Sequence, residues 1–334
     1  MRSADKNVLV LGATGLIGNA VLRQLITSGY TVTGTCRQHG KSPPNLDGLR
    51  VRVVHGDIDE PGKLDEWIEG HDVVVDAAAP YPLHLMYIES AGTRNALDHA
   101  EKRTEALIRS LRHHGAKLVH VSTLLARPSG RQARLSSLQS QLMRAIHPYF
   151  SIKSLIEQQL SEARDTLSGV AIVQPSVCLG PYDVKPREQC LVPKVVCGEL
   201  PVAVSHKINV VDTRDVALGI VAAIGKERYG QTIRLTGHNT SIESLLEKIA
   251  AYCGTAVPRW RYPAEFSVLP SYWAEMMWAL VGRESPLPSL LPILICEQDW
   301  IGVGDEQEEL EVTPRPLGET IRDTVRWYRD LGYC

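Results

Sequence analysis

The stretch over residues 8–18, VLVLGATGLIG, limits what this chain can fold into more than any other. Its first four residues are a continuous apolar run, short enough for a strand covered on both faces, as in a parallel sheet. Three glycines spaced Gly-x-x-Gly-x-x-Gly follow at once. Gly12 suits a tight reversal, Gly15 lets backbone N–H groups approach a phosphate with no side chain in the way, and Gly18 lets a helix pack close to the strand. Ile17, Val21 and Leu25 recur four apart, and Gly29 stands where a helix should end. The spacing predicts a helix whose start, with Thr14, Gly15, Leu16 and Ile17, faces a pyrophosphate.

The chain has 334 residues, 44% hydrophobic and 22% charged, which is enough core for one large or two modest domains. A net charge of -2 gives no basic field for nucleic acid or an anionic membrane, and no apolar run is long enough to span a bilayer. The opening MRSADKN holds no apolar signal core. The expectation is a cytoplasmic protein with a small-molecule substrate and neither nucleic acid nor membrane as partner. Seven cysteines are scattered, odd in number and without a Cys-x-x-Cys pair or a histidine cluster at metal-ligand spacing. They read as reduced thiols, and no metal site is expected.

Strand and helix patterns then alternate. Residues 31–36, TVTGTC, read as a second strand that delivers Arg37 at its end. In a dinucleotide-binding sheet an acid at this position accepts from a ribose 2′-hydroxyl, whereas an arginine neutralises a 2′-phosphate. Arg37 therefore favours NADP(H), with NAD(H) still admitted; Lys41 helps it or simply belongs to the loop. Residues 51–55 and 73–75 read as the third and fourth strands, the latter running into Asp76 and then Ala77, Ala78 and Ala79. Those small side chains leave room for a cofactor to cross the carboxyl edge of the sheet. A helix over about 95–114 and a fifth strand over 117–121 complete an α/β pattern, a doubly wound parallel Rossmann sheet.

Tyr149 and Lys153 stand four apart in a predicted helix that runs to about residue 163, so phenol and ammonium share one face. A cation beside a phenol favours the phenolate, which is what a general acid for a carbonyl oxygen requires. The glycine loop, Thr123 after Ser122 at the end of the fifth strand, and Tyr-x-x-x-Lys 26 residues later together resemble the extended short-chain dehydrogenase/reductase family. This is the NAD-dependent epimerase/dehydratase group, and the nearest look within it is to dihydroflavonol-reductase-like members. The resemblance extends to residues 170–183, VAIVQPSVCLGPYD, residues 208–224, INVVDTRDVALGIVAAI, and residues 313–332, TPRPLGETIRDTVRWYRDLG.

The resemblance implies an oxidoreductase in which Tyr149 is the acid/base, Lys153 its partner and a holder of the nicotinamide ribose, and Thr123 the hydroxyl that orients the substrate oxygen. It implies that Asp57 and Ile58 lie against the adenine and that Pro175 and Val177 pass close to the nicotinamide. Asp57 suits a turn cap equally well, and Asp212 and Asp215 read as helix caps rather than catalytic groups. The dinucleotide-binding part would cover 1–174 with a contribution from 204–236, and 175–334 would be mainly a smaller C-terminal substrate-binding domain. Members of the family often dimerise through the helices that here start near Asn95 and Tyr149, although the apolar stripes of these helices serve equally as core.

Departures from the family narrow the substrate. Leu124 and Leu125 stand where nucleotide-sugar dehydratases carry an Asp-Glu pair, which removes that elimination. The stretch over 182–192 lacks the asparagine through which sugar epimerases usually contact the sugar nucleotide. Pro80, Tyr81, Pro82, Leu83, Leu124, Leu125 and Tyr182 are expected to border the pocket or to pack under their loops. A polar group buried without a partner costs about 1–3 kcal/mol, so such a wall prefers a hydrophobic carbonyl compound. The apolar helix over 266–281 is expected to bury its aromatics in the core or to act as a lid. Pro286, Pro288 and Pro292 should make a loop, and 305–309 a solvated charged turn. Two rival readings remain: an epimerase with tightly held NAD, and a non-catalytic dinucleotide sensor, against which an intact Thr123, Tyr149 and Lys153 set weighs.

Overall fold

Strands that are apolar at every position rather than at alternate ones must be covered on both faces, and helices on either side of one parallel sheet meet that need. The computed structural model describes residues 6–37, 43–78, 91–126, 147–184, 191–200, 202–257, 260–283, 285 and 288–333. Lys41, Ala79, Pro80, Tyr81, Pro82, Leu83 and Pro286 lie outside these residues. The chain begins with β1 (Asn7–Leu11), α1 (Leu16–Thr27), β2 (Thr31–Cys36), β3 (Arg52–His55), α2 (Lys63–Ile68), β4 (Val73–Asp76), α3 (Ala91–His114) and β5 (Lys117–Val121). It continues through α4 (Pro148–Glu162), β6 (Val170–Pro175), β7 (Val177–Leu179), α5 (Leu191–Val196), β8 (Val202–Ser205), β9 (Lys207–Asp212), α6 (Thr213–Gly225) and β10 (Thr232–Leu235). The remainder holds β11 (His238–Ser241), α7 (Ile242–Cys253), β12 (Trp260–Pro263), α8 (Glu265–Leu280), α9 (Leu290–Cys296), α10 (Asp305–Glu309) and α11 (Leu317–Asp330).

Among the described residues, seven strands pair in parallel in the order β10-β6-β5-β4-β1-β2-β3. Val8 and Val10 face one way, against Leu22 and Leu25 of α1 and Val216 and Ile220 of α6. Leu9 and Leu11 face the other way, toward Leu107 and Leu111 of α3 and Ile152 and Ile156 of α4. This is a doubly wound Rossmann-type α/β fold, as the sequence pattern predicts. A smaller sheet, β11-β9-β7, and a β12-β8 pair adjoin it, and α5, α7 and α11 pack over Ile208 and Val210 of β9 in a third apolar cluster. Among the described residues no helix is long and apolar enough to cross a membrane.

Several local expectations change. Asp212 does cap α6, accepting from Arg214 N at 2.8 Å. Asp215 does not cap; it accepts from the backbone N and the Nε of Arg315, at 2.8 and 2.7 Å, and so ties the closing Pro-Arg-Pro-Leu element to α6. Pro292 lies in the first turn of α9, where a missing N–H costs nothing, so a helix forms in place of the expected loop. Residues 305–309 form α10, and Gln307 is buried there, accepting from Thr236 N at 2.8 Å and donating to Thr236 O at 3.0 Å.

The aromatics of α8 are not core. Phe266, Trp273 and Met277 are more than 60% exposed, while Val268, Ser271 and Glu275 form the buried face. The reason is a polar anchor: Glu275 accepts from both N and Oγ of Ser289, at 3.0 and 2.5 Å, which fixes the rotation of the helix. Trp273→Ser is therefore expected to change the unfolding free energy by no more than about 0.5 kcal/mol in a urea titration, whereas Val268→Ala should cost about 1–3 kcal/mol.

Candidate active site

The site is built at the carboxyl edge of the parallel sheet, where loops leave β1, β4, β5 and β6. After β1 the chain turns at Gly12, whose φ is +79° and whose N–H donates to Thr35 Oγ1 at 3.0 Å. Gly15 N closes the turn on Gly12 O at 2.9 Å. A Cβ at Gly18 would stand 2.1 Å from Gly12 O, so only glycine lets α1 lie this close to the strand. At Gly15 the nearest protein atom to a Cβ would be 3.3 Å away, so the packing of the chain itself hardly requires glycine there. Gly15 is exposed, no side chain caps α1, and no acid stands in its first turn. The N–H groups of Leu16 and Ile17 thus have no side-chain cap, and a dinucleotide phosphate fits this loop.

The second half of the site comes from β5 and α4. His147 caps α4, its Nδ1 accepting from Tyr149 N at 3.2 Å, and Pro148 takes the first helical position, where proline is pre-organised. Tyr149 therefore lies in the first turn of α4. Lys153 follows one turn later, and both side chains are buried. Ser154 Oγ donates to Ala126 O at 2.7 Å, which ties α4 to the loop after β5. In that loop Thr123 is half-buried and its Oγ1 accepts from Leu125 N at 3.3 Å. Leu125 packs in one cluster with Tyr149, Phe150, Val268, Leu290 and Ile293. The structure thus brings Thr123, Leu124 and Leu125 to the same region as Tyr149 and Lys153, with an apolar flank contributed by α8 and α9.

Burial pulls the Lys153 amine down to about 8, Asp76 opposes that fall, and Arg103 adds to it. Asp76 ends β4. Its Oδ1 accepts from Arg103 Nη2 at 3.0 Å and from Ala78 N at 3.1 Å, and His120 Nδ1 lies 3.1 Å from its Oδ2. Burial alone would raise the Asp76 carboxyl, but Arg103, His120 and the Ala78 N–H together hold it well below the usual carboxylate range.

Arg37 is exposed at the end of β2. Asp57 accepts from Asp59 N at 3.1 Å, so its carboxylate caps the turn after β3, and Ile58 packs partly buried beside it. Ala77 and Ala78 line the end of β4, with Ala77 N donating to Leu11 O at 3.0 Å; Ala79, Pro80 and Tyr81 fall outside the described residues. Pro175 and Val177 flank Ser176 at the end of β6, adjacent to Leu124, whose N–H donates to Pro175 O at 3.3 Å. Tyr182, expected at the pocket or under its loop, packs in the second way: its ring sits 4.3 Å from the Arg23 guanidinium and edge-on to Trp327 at 5.4 Å. Arg103 and His120 carry no motif, and sequence reasoning missed them. The available signal was Asp76 itself, since an acid closing a fully apolar strand requires a partner.

Residues 8–234 match the NAD dependent epimerase/dehydratase family. A Synechocystis protein named for dihydroflavonol 4-reductase is 26% identical, over 97% of this chain and 95% of its own length. A 2-alkyl-3-oxoalkanoate reductase from Stenotrophomonas maltophilia is 24% identical, over 92% of this chain and 94% of its own. Among solved structures, a nucleoside-diphosphate-sugar epimerase from Pseudomonas aeruginosa superposes with a TM-score of 0.75 at 22% identity, covering 98% of this chain and 99% of that one. The chain belongs to the NAD dependent epimerase/dehydratase family, within the extended short-chain dehydrogenase/reductases.

Proposed function

We propose that the protein is an NADP(H)-dependent oxidoreductase that reduces the carbonyl of a small hydrophobic ketone or aldehyde, or oxidises the matching alcohol. The observation that carries this reading is the pairing of Tyr149 and Lys153 on consecutive turns of α4, beside Thr123 and against an apolar flank of Leu125, Val268 and Leu290. Bound NADP(H) would supply or accept the hydride, held at the α1 start by the backbone of Gly15, Leu16 and Ile17 and at its 2′-phosphate by Arg37. Thr123 Oγ1 orients the substrate oxygen. Tyr149 Oη gives that oxygen its proton during reduction or takes it during oxidation, and the Lys153 ammonium stabilises the phenolate left behind. The relatives from Synechocystis and Stenotrophomonas both carry the name of a reductase, which supports a reductase over an epimerase.

The deciding experiment denatures freshly purified protein, identifies any released nucleotide by mass spectrometry, and titrates the emptied protein with NADPH and NADH. Empty protein that prefers NADPH supports a reductase that exchanges its cofactor at each turnover. Stoichiometric bound NAD would overturn the reading in favour of an epimerase. Arg37→Ala is expected to weaken NADPH binding by about 10- to 100-fold, the value of one charge-assisted contact, and to leave NADH binding nearly unchanged. Fluorescence titration checks this, and an equal loss for both nucleotides would remove Arg37 from the 2′-phosphate.

A further inference from the structure

Helix α8 turns its apolar side outward. A surface helix normally carries its polar residues there, yet between Glu265 and Arg283 no exposed residue bears a charge. Phe266, Leu269, Trp273, Met277 and Leu280 are between 46% and 74% exposed, and Pro270, Trp278 and Val281 extend the surface they make. At 3.6 residues per turn the first five fall within a stripe about 80° wide and about 21 Å long. They leave on the order of 700 Å² of apolar surface, more than the largest patch of an ordinary monomer and close to the ~800 Å² that each partner contributes to a standard interface.

The opposite face of the helix is already in use. Val268, Ser271 and Glu275 are buried, and Val268 packs in one cluster with Leu125, Tyr149 and Phe150. The outer stripe therefore takes no part in folding the single chain, which is why Trp273→Ser is expected to cost the dilute protein so little.

Two features of the stripe point to what covers it. The first is its spacing. Successive steps between the five residues are 3, 4, 4 and 3, a series that reads the same from either end. A two-fold axis at Trp273 thus sets Phe266 against Leu280 of a second copy, Leu269 against Met277, and Trp273 against its own counterpart, as an isologous contact between antiparallel helices requires.

The second feature is charge. Glu265 at one end and Arg283 beyond the other are both exposed, and among the described residues neither forms an ion pair. In the antiparallel pairing each Glu265 comes level with residue 281 of the other copy, so Arg283 stands only about 3 Å further along the axis. A parallel pairing would instead bring like charges together at both ends. A bilayer surface suits the stripe less well: interfacial helices use Lys and Arg toward anionic lipid, and residues 265–280 contain neither, in a chain whose net charge is -2.

We propose that α8 is a homodimer interface, in which the outward stripes of two copies pack antiparallel about Trp273 with Glu265 and Arg283 facing each other at the ends. The inference concerns association and does not rest on the reaction proposed above. It leaves α3 and α4 free for the contact expected of the family, so the two associations can coexist. Because the inner face of α8 reaches the cluster of Tyr149, the pairing also holds this helix against the site from outside.

Sedimentation equilibrium of the full chain at micromolar concentrations compares wild type with Trp273→Glu, which sets two carboxylates at the two-fold axis. The variant should have half the mass of wild type, with the association weakened by about 100-fold or more. Equal masses overturn the proposal. Should Trp273→Glu not fold, Met277→Glu is read in its place by the same criterion. Orientation is read by oxidising cysteine variants with copper–phenanthroline. A mixture of Phe266→Cys and Leu280→Cys should give a disulfide-linked pair above the wild-type background, and Trp273→Cys should do so alone. Phe266→Cys that links with itself as readily as with Leu280→Cys overturns the antiparallel arrangement. Glu265→Arg and Arg283→Glu should each weaken the dimer and together restore it; a double variant weaker than either single one removes the charge pairing. Wild type that sediments at the mass of Trp273→Glu, yet binds phosphatidylcholine–phosphatidylglycerol vesicles that the variant does not, overturns the second copy in favour of a bilayer.

Discussion

Tyr149→Phe is expected to lower kcat for NADPH-dependent ketone reduction by about 10²- to 10⁴-fold, the range over which a positioned general acid contributes. The variant removes one oxygen and leaves the ring, so the packing of residue 149 against Leu125, Phe150, Val268, Leu290 and Ile293 is kept. Fold and nucleotide affinity should both survive, because the phosphate cradle at Gly15 and the 2′-phosphate contact proposed for Arg37 are on separate elements. The split is the informative part: steady-state kinetics should show the loss in kcat, while calorimetric titration with NADPH returns the wild-type affinity. Turnover that persists undiminished would mean that another group protonates the substrate oxygen. Loss of nucleotide binding together with activity would make Tyr149 a cofactor residue rather than the acid.

What was legible in the sequence was whatever is written in local periodicity. The apolar run before Gly12, the bounds of β2 and β5, and the helical spacing of Tyr149 and Lys153 are short-range patterns, and each becomes the element it predicts. The orientation of α8 was not legible in the same way. An apolar stripe predicts a buried face only when nothing else competes for the interior, and here Glu275 competes by accepting two hydrogen bonds from Ser289. Asp215 misleads for a related reason: its place in the first turn of α6 suits a cap, but Arg315, far along the chain, takes both of its oxygens. The same distance hides the Asp76, Arg103 and His120 cluster, whose members are joined only by sheet register and by the packing of α3 over the sheet. Long-range polar contacts of this kind leave a single trace in a sequence, a charged residue where the local pattern calls for an apolar one.

Two alanine substitutions in the first loop should separate what the fold needs from what the ligand needs. At Gly18 the new methyl would sit 2.1 Å from Gly12 O and 2.8 Å from Gly12 C, backbone atoms that cannot swing aside. Gly18→Ala must therefore force α1 away from β1, at about 1–3 kcal/mol or more, and destroy the phosphate cradle with it. At Gly15 the methyl would meet Gly12 O at 3.3 Å, a contact that a shift of a few tenths of an ångström relieves. Stability should then fall by only about 1 kcal/mol or less, because Gly15 is the N-cap of α1, where alanine loses the modest preference that glycine has. Nucleotide affinity is the quantity that should suffer, since the methyl projects into the space where a phosphate would approach the N–H groups of α1; a loss of about 10-fold or more, roughly 1.4 kcal/mol, is expected. Thermal unfolding of the empty protein, paired with NADPH titration, reads both effects. If Gly15→Ala bound NADPH as tightly as wild type, the pyrophosphate would not lie at the start of α1, and the similarity of the loop to dinucleotide-binding turns would be one of backbone geometry alone.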